Sequence, residues 1–157
     1  MSLCAKDIMV SNFDTIHMDA PVEEAIHKIS NGKVRETGYK TISLMVTDDF
    51  NKLTGVVTMF DVLYHLRPDF LNFGIYGEEL KWEGRMESLR DIVQDKKVHH
   101  IMTRNIVSAK TDEHIMTLLD RMIKNKYRRL PVLENGQPKG IVYISDIYHH
   151  IFSLKAT

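Results

Sequence analysis

The sequence predicts a mixed helix–strand fold in which two β-α-β-β-α repeats pack face to face with pseudo-two-fold symmetry. Three observations predict it. First, the chain repeats itself: Ile8-Met9-Val10-Ser11-Asn12 returns as Ile101-Met102-Thr103-Arg104-Asn105, with Asp19 falling on Asp112. Further on, Gly55-Val56-Val57-Thr58-Met59-Phe60-Asp61 returns as Gly140-Ile141-Val142-Tyr143-Ile144-Ser145-Asp146. Second, each copy sets short extended runs and amphipathic stripes in the same order. Third, a three-stranded unit of this size is marginal alone, so two copies must bury each other's apolar surface.

The elements follow in order. In the first copy, residues 1–66, Thr15–His17 reads as a short strand. A helix comes next, with Asp19 a candidate N-cap, Pro21 in the first turn, and Val22, Ile26 and Ile29 along one face. Residues 31–40 are polar with two glycines and read as a loop longer than its counterpart. Residues 42–47 then pair with Leu53–Thr58 across Asp48-Asp49-Phe50-Asn51, and a closing helix begins near Asp61.

Residues 67–98 form a bridge. Arg67-Pro68-Asp69 stops the first copy, and the charged run 80–93 predicts a partly helical connection with Trp82 packed on the surface of one copy. The second copy, residues 99–157, opens with an extended piece at 106–109. Asp112 is a candidate cap for a helix striped by Ile115, Leu118, Leu119 and Met122. Residues 130–133 pair with 140–144 across Glu134-Asn135-Gly136, and the last helix begins near Asp146.

Composition narrows the function. Hydrophobic residues at 43% and charged residues at 27% fit a globular chain rather than a disordered one. Lys plus Arg equals Asp plus Glu at 21 each, so no large positive field is available for bulk nucleic acid or an anionic membrane. Cys4 is the sole cysteine, which excludes an intramolecular disulfide and a thiolate zinc site and fits a reducing cytoplasm. No apolar run is long enough to cross a bilayer, and no signal-like start precedes one. The rings of the adjacent pairs His99-His100 and His149-His150 diverge, with no acidic or histidine partner at ligand spacing, so no metal site is expected. No GxxxxGK[ST], HExxH or GxSxG motif occurs, and Cys4 has no evident base nearby; the expectation is a protein that is not an enzyme.

Several of these residues together resemble a known family. The glycine and two apolar residues leading to Thr58 and Asp61 are similar to the closing signature of the cystathionine-β-synthase (CBS) domain. Tyr127-Arg128-Arg129-Leu130-Pro131-Val132, an acid-rich turn and a second Gly-apolar-apolar block resemble its middle. Ile101-Met102-Thr103 with Asn105-Ile106-Val107 resembles its opening. The likeness occurs twice and spans nearly the whole chain outside the bridge. It implies an α+β fold in which a tandem pair encloses two clefts, senses an adenosyl ligand (AMP, ADP, ATP or S-adenosylmethionine) and dimerises.

The residues suit that chemistry. A carboxylate at a helix start accepts from both hydroxyls of a ribose, each charge-assisted bond being worth about 1.5–3 kcal/mol. Asp61 and Asp146 stand at such positions, although each is also an ordinary helix cap. Thr58, or Ser145 in the second copy, offers a hydroxyl beside free helix N–H groups, which favours phosphate. Arg128 or Arg129 then neutralises phosphate charge, unless the run from Lys124 is only a solvated face. Thr103, Tyr127 and backbone near Val107 are the expected base contacts in an apolar slot.

The resemblance makes the two clefts unequal. It joins Thr58 and Asp61 to Thr103, Val107 and Arg128 in one. The other holds Ser145, Asp146, Ile141 and Ser11, with Tyr143 where the first copy has Thr58 and with Ile42 and Ser43 in place of the arginines. The Asp61 cleft is therefore expected to bind more tightly. The function expected is a sensor that requires no cofactor, forms a homodimer through Ile92, Val93, Ile147, Ile151 and Phe152, and acts in trans on an effector protein. A constitutive adaptor of the same fold with ruined pockets is the alternative; a nucleotide hydrolase lacks a carboxylate pair near a metal or an obvious base.

Overall fold

The computed structural model describes residues 3–32, 34, 43–67 and 85–153. The rest of the 31–40 loop, Ile42, Pro68-Asp69 and Trp82 lie outside the described residues. The elements run α1 (Ala5–Ile8), β1 (Thr15–His17), α2 (Val22–Ser30), β2 (Ser43–Thr47), β3 (Leu53–Thr58), α3 (Met59–Leu66) and α4 (Arg85–Gln94). They continue with α5 (Val98–Ile101), β4 (Ala109–Lys110), α6 (Ile115–Asn125), β5 (Arg129–Glu134), β6 (Gln137–Tyr143) and α7 (Ile144–Ser153). Two three-stranded sheets result, ordered β1-β2-β3 and β4-β5-β6. In each the first pair is parallel and the second antiparallel, so the α+β repeat architecture expected from the sequence is present twice.

Local chemistry explains the elements. Val22, Ala25 and Ile29 on α2, and Ile115, Leu118 and Met122 on α6, are buried at helical spacing and face their own sheets. Neither Asp19 nor Asp112 caps its helix. Pro21 and His114 hold those positions in extended conformation, and the His114 side chain accepts from the Met116 N–H. A proline lacks an N–H and suits the very start of a helix, so α2 begins only beyond it. The β5–β6 hairpin turns on Asn135-Gly136, both with positive φ (54° and 79°), the pairing that matches strand twist. In the β2–β3 turn the Asp48 carboxylate accepts from the Lys52 and Phe50 N–H groups, and the Lys52 bond above all holds it below the usual carboxylate range. The two turns touch: the Leu53 N–H donates to the Gly136 carbonyl at 3.0 Å, and the Lys52 ammonium meets the Asn135 carbonyl.

Packing reveals an exchange that the covalent repeats conceal. The core around β2 contains Leu44, Val46 and Val57 but also Val98, Ile101 and Met102 from α5 and the residue after it. The core around β5 contains Leu130, Val132 and Val142 but also Ala5 from α1, with Ile8 and Met9 packed on it. Backbone bonds fix both docks. Val98 and His99 N–H groups donate to Ala20 and Met18, while Ala5 and Lys6 donate to Glu113 and Thr111. Each opening segment then pairs with the other repeat's last strand: Thr103 bridges Val56 and Val10 bridges Ile141. A third cluster of Met45, Ile141 and Tyr143 joins the two sheets.

One expectation is corrected here. Val93 and Ile147, read as part of an exposed face, are buried within the cores. Ile92 and Phe152 are exposed, and so are Phe60, Leu63 and Tyr64 on α3 and Tyr148 on α7.

Candidate functional site

The site grows from the β3–α3 junction. Thr58 is extended and caps α3, and Asp61 returns the bond in a reciprocal capping box. Asp61 Oδ2 accepts from the Thr58 N–H at 2.9 Å and from its hydroxyl at 3.1 Å. Asp61 Oδ1 accepts from the Thr103 hydroxyl at 2.8 Å, so the carboxylate joins residues from both repeats. Thr103 is held by two backbone bonds to Val56, of 2.8 and 3.1 Å. Beyond it Asn105 takes a left-handed conformation (φ 57°), which turns the chain so that Ile106 and Val107 enter the same space.

The result is a cavity of about 330 Å³ between the halves. Among the predicted residues, Thr58, Asp61, Thr103, Val107, Tyr127 and Arg129 all line it. Arg128 does not; its side chain is exposed, while Arg129 and Pro131 share the inward face of β5. Ile141, expected in the weaker cleft, lines this cavity as well, and so does Ser43. The Thr103 hydroxyl lies on the Asp61 carboxylate. Sequence reasoning missed Met45, Val56, Phe60, Asn105, Ile106 and Pro131. The period of two along β3 and β5, counted from Thr58 and Arg129, would have found Val56 and Pro131. Phe60 is 74% exposed and stands at the rim, with α3's first turn open beside it.

The arrangement brings together a carboxylate, a hydroxyl at a helix start, one guanidinium and an apolar floor. Among the described residues no group of three His, Cys, Asp or Glu side chains is placed to hold a metal. The opening segment that carries Thr103 is itself capped by His100, whose Nδ1 accepts from the Lys97 N–H at 3.0 Å. Desolvation, then the charges of His99, Lys96 and Lys97, hold the His100 imidazole below its ordinary value, which preserves that acceptor.

Around Asp146 the surroundings differ. Tyr143, at the position equivalent to Thr58, is buried with Met45 and Ile141, and Val10 and Phe13 pack on that cluster. Ser145 and Asp146 are half-buried in the first turn of α7, and Ser11 is exposed.

Comparison with known proteins places this geometry. The model of the CBS domain matches twice, at residues 5–68 and 98–153. An inosine-5′-monophosphate dehydrogenase of Methanocaldococcus jannaschii is 28% identical over 144 residues, 91% of this chain and 22% of that protein. The chain spans about half or less of the first curated relatives it matches. Among solved structures, the CBS domain pair of protein MJ0100 in complex with 5′-methylthioadenosine and S-adenosyl-L-methionine superposes with a TM-score of 0.66 at 22% identity, covering 99% of both chains. CBSX2 in complex with AMP superposes with a TM-score of 0.68 at 19% identity, covering 97% of this chain and 98% of its own. With two matched copies, two exchanged opening segments and a cavity between the repeats, the chain belongs to the CBS domain family and forms a CBS domain pair.

Proposed function

We propose that this CBS pair is a non-catalytic regulatory module that binds one adenosyl ligand per chain in the Asp61 cleft. The observation that carries the reading is the convergence of Thr58 and Asp61 from one repeat with Thr103, Val107, Tyr127 and Arg129 from the other around a single cavity. Asp61 accepts the ribose hydroxyls, the N-terminus of α3 beside Thr58 faces phosphate with Arg129, and the base lies on the apolar floor near Val107 and Tyr127. The ligands AMP, 5′-methylthioadenosine and S-adenosyl-L-methionine of the two similar structures support this class of molecule. The buried Tyr143 supports one occupied cleft rather than two, with Asp146, Ser145, Ile141 and Ser11 left as a weaker site.

The test is calorimetry with AMP, ADP, ATP and S-adenosylmethionine, paired with thermal unfolding. A ligand at a hundred times its Kd adds about 2.7 kcal/mol, which for a chain of this size raises Tm by about 5–10 °C. Unshifted Tm with all four at millimolar concentration would turn the reading to a constitutive adaptor.

Occupancy has to reach a partner. The exposed aromatic residues Phe60 and Tyr64 on α3, and Tyr148 and Phe152 on α7 with rings 4.7 Å apart, support a homodimer whose geometry responds to ligand. The rim residue Phe60 belongs to both this set and the cleft. Light scattering at micromolar concentration is expected to give twice the chain mass of 18.2 kDa; the monomer mass would refute the dimer. The same reading has the protein act in the cytoplasm, on an effector protein in trans, without binding nucleic acid or membrane. Among the described residues, no helix is long and apolar enough to cross a membrane.

A further inference from the structure

Both oxygens of Asp61 are engaged by groups of the protein itself. Its Oδ2 is satisfied within its own repeat by the N–H and hydroxyl of Thr58. Its Oδ1, the oxygen left for an incoming molecule, accepts the Thr103 hydroxyl at 2.8 Å. A threonine hydroxyl and a sugar hydroxyl are the same donor, and both cannot take the best approach to one carboxylate oxygen. The Thr103 backbone is tied to Val56 on both sides of its peptide, so its side chain can turn away without moving the strand bridge. This hydroxyl is also a direct side-chain link from the second repeat's opening segment to α3, whose outer face carries Leu63 and Tyr64.

We infer that Thr103 is a built-in stand-in for the ligand's sugar hydroxyl: it occupies Asp61 in the empty cleft and is displaced when a nucleoside diol binds. The inference rests on the functional reading above and adds its regulation. Displacement exchanges one charge-assisted bond for another, so the empty site stays satisfied while affinity is held down. The same exchange unties α3 from the opposite repeat, which gives occupancy a mechanical consequence at the exposed face.

The stand-in has a signature opposite to that of a ligand contact. Thr103→Val removes the hydroxyl and keeps the branched shape; it is expected to lower the Tm of the free protein and to bind AMP about tenfold more tightly by calorimetry. Thr103→Ser restores the donor and is expected to match the wild type in both measurements. Thr103→Ala serves as a second hydroxyl-free variant if the valine form does not fold. Unchanged or weaker AMP binding by the hydroxyl-free variants, with the wild type binding normally, overturns the inference and leaves the functional reading standing. If neither the wild type nor any variant binds AMP, ADP, ATP or S-adenosylmethionine, the functional reading falls and takes the stand-in with it. Binding by Thr103→Val where the wild type shows none supports the stand-in strongly.

Discussion

Replacing Asp61 with alanine is expected to abolish tight adenosyl binding, whereas Asp146→Ala leaves it largely intact. Among the described residues Asp61 is the only carboxylate that lines the cavity, and its Oδ1 already holds a hydroxyl at hydrogen-bond distance. Two charge-assisted bonds to a ribose are worth about 3 kcal/mol or more together, a loss of over a hundredfold in affinity. The substitution also removes half of the capping box on α3 and the bond from the Thr103 hydroxyl, so a loss of stability is expected as well. That loss is read separately by urea denaturation. Calorimetry with AMP on both variants is the measurement. Equal losses, or two equivalent sites in the wild type, would show that Tyr143 does not close the second cleft.

The largest structural effect is expected at Gly55. A Cβ there would sit 2.7 Å from the Thr103 carbonyl oxygen and 2.8 Å from Met102 Sδ. That carbonyl already accepts the Val56 N–H, so it cannot retreat without breaking the strand bridge. Forcing a methyl into this space costs about 1–3 kcal/mol, and it shifts the segment that lines the cavity. Gly140 is the matching residue of the second repeat, and there a Cβ meets Met9 Sδ at 2.6 Å, Cγ at 2.7 Å and Cβ at 2.9 Å. Rotation of the methionine can withdraw Sδ and Cγ but not Cβ, so this position is crowded too, though without a hydrogen-bonded backbone carbonyl in the way. Ala in place of Gly also stabilises by restricting the unfolded chain, about 0.4–1 kcal/mol where the conformation is allowed. Gly55→Ala is therefore expected to lose substantial stability and ligand affinity, and Gly140→Ala to lose less of both. Urea unfolding that ranks Gly140→Ala as the more damaging change would contradict this account.

Most of the architecture was legible because it is local. The strands Thr15–His17 and Leu53–Thr58 end where their side-chain patterns end, and the repeated Gly-apolar-apolar blocks mark both closing strands. The cleft was legible in Thr58, Asp61, Thr103, Val107, Tyr127 and Arg129, through the family signature rather than through composition. What stayed hidden is non-local. Val93 and Ile147 carry the same apolar chemistry as Ile92 and Phe152, and only packing decides which pair is covered. Arg128 and Arg129 are adjacent, and the choice between them depends on where β5 begins, since facing alternates along a strand. Asp19 was read as a cap because the residue type fits, yet its carboxylate lies near His17 and His99 instead, at 3.9 and 3.7 Å.

The exchanged opening segments bear on how the molecule comes into being. During synthesis the first repeat emerges without Val98, Ile101 and Met102, which complete its own core, and α1 has no seat until β6 is made. The backbone bonds that finish the halves join Ala20 to Val98 and Ala5 to Glu113, and such long loops must close before burial repays their entropy. Neither core is completed by one sheet's own repeat alone. The nascent first half exposes apolar surface until the last strand arrives, an interval in which association with other incomplete chains competes with native assembly.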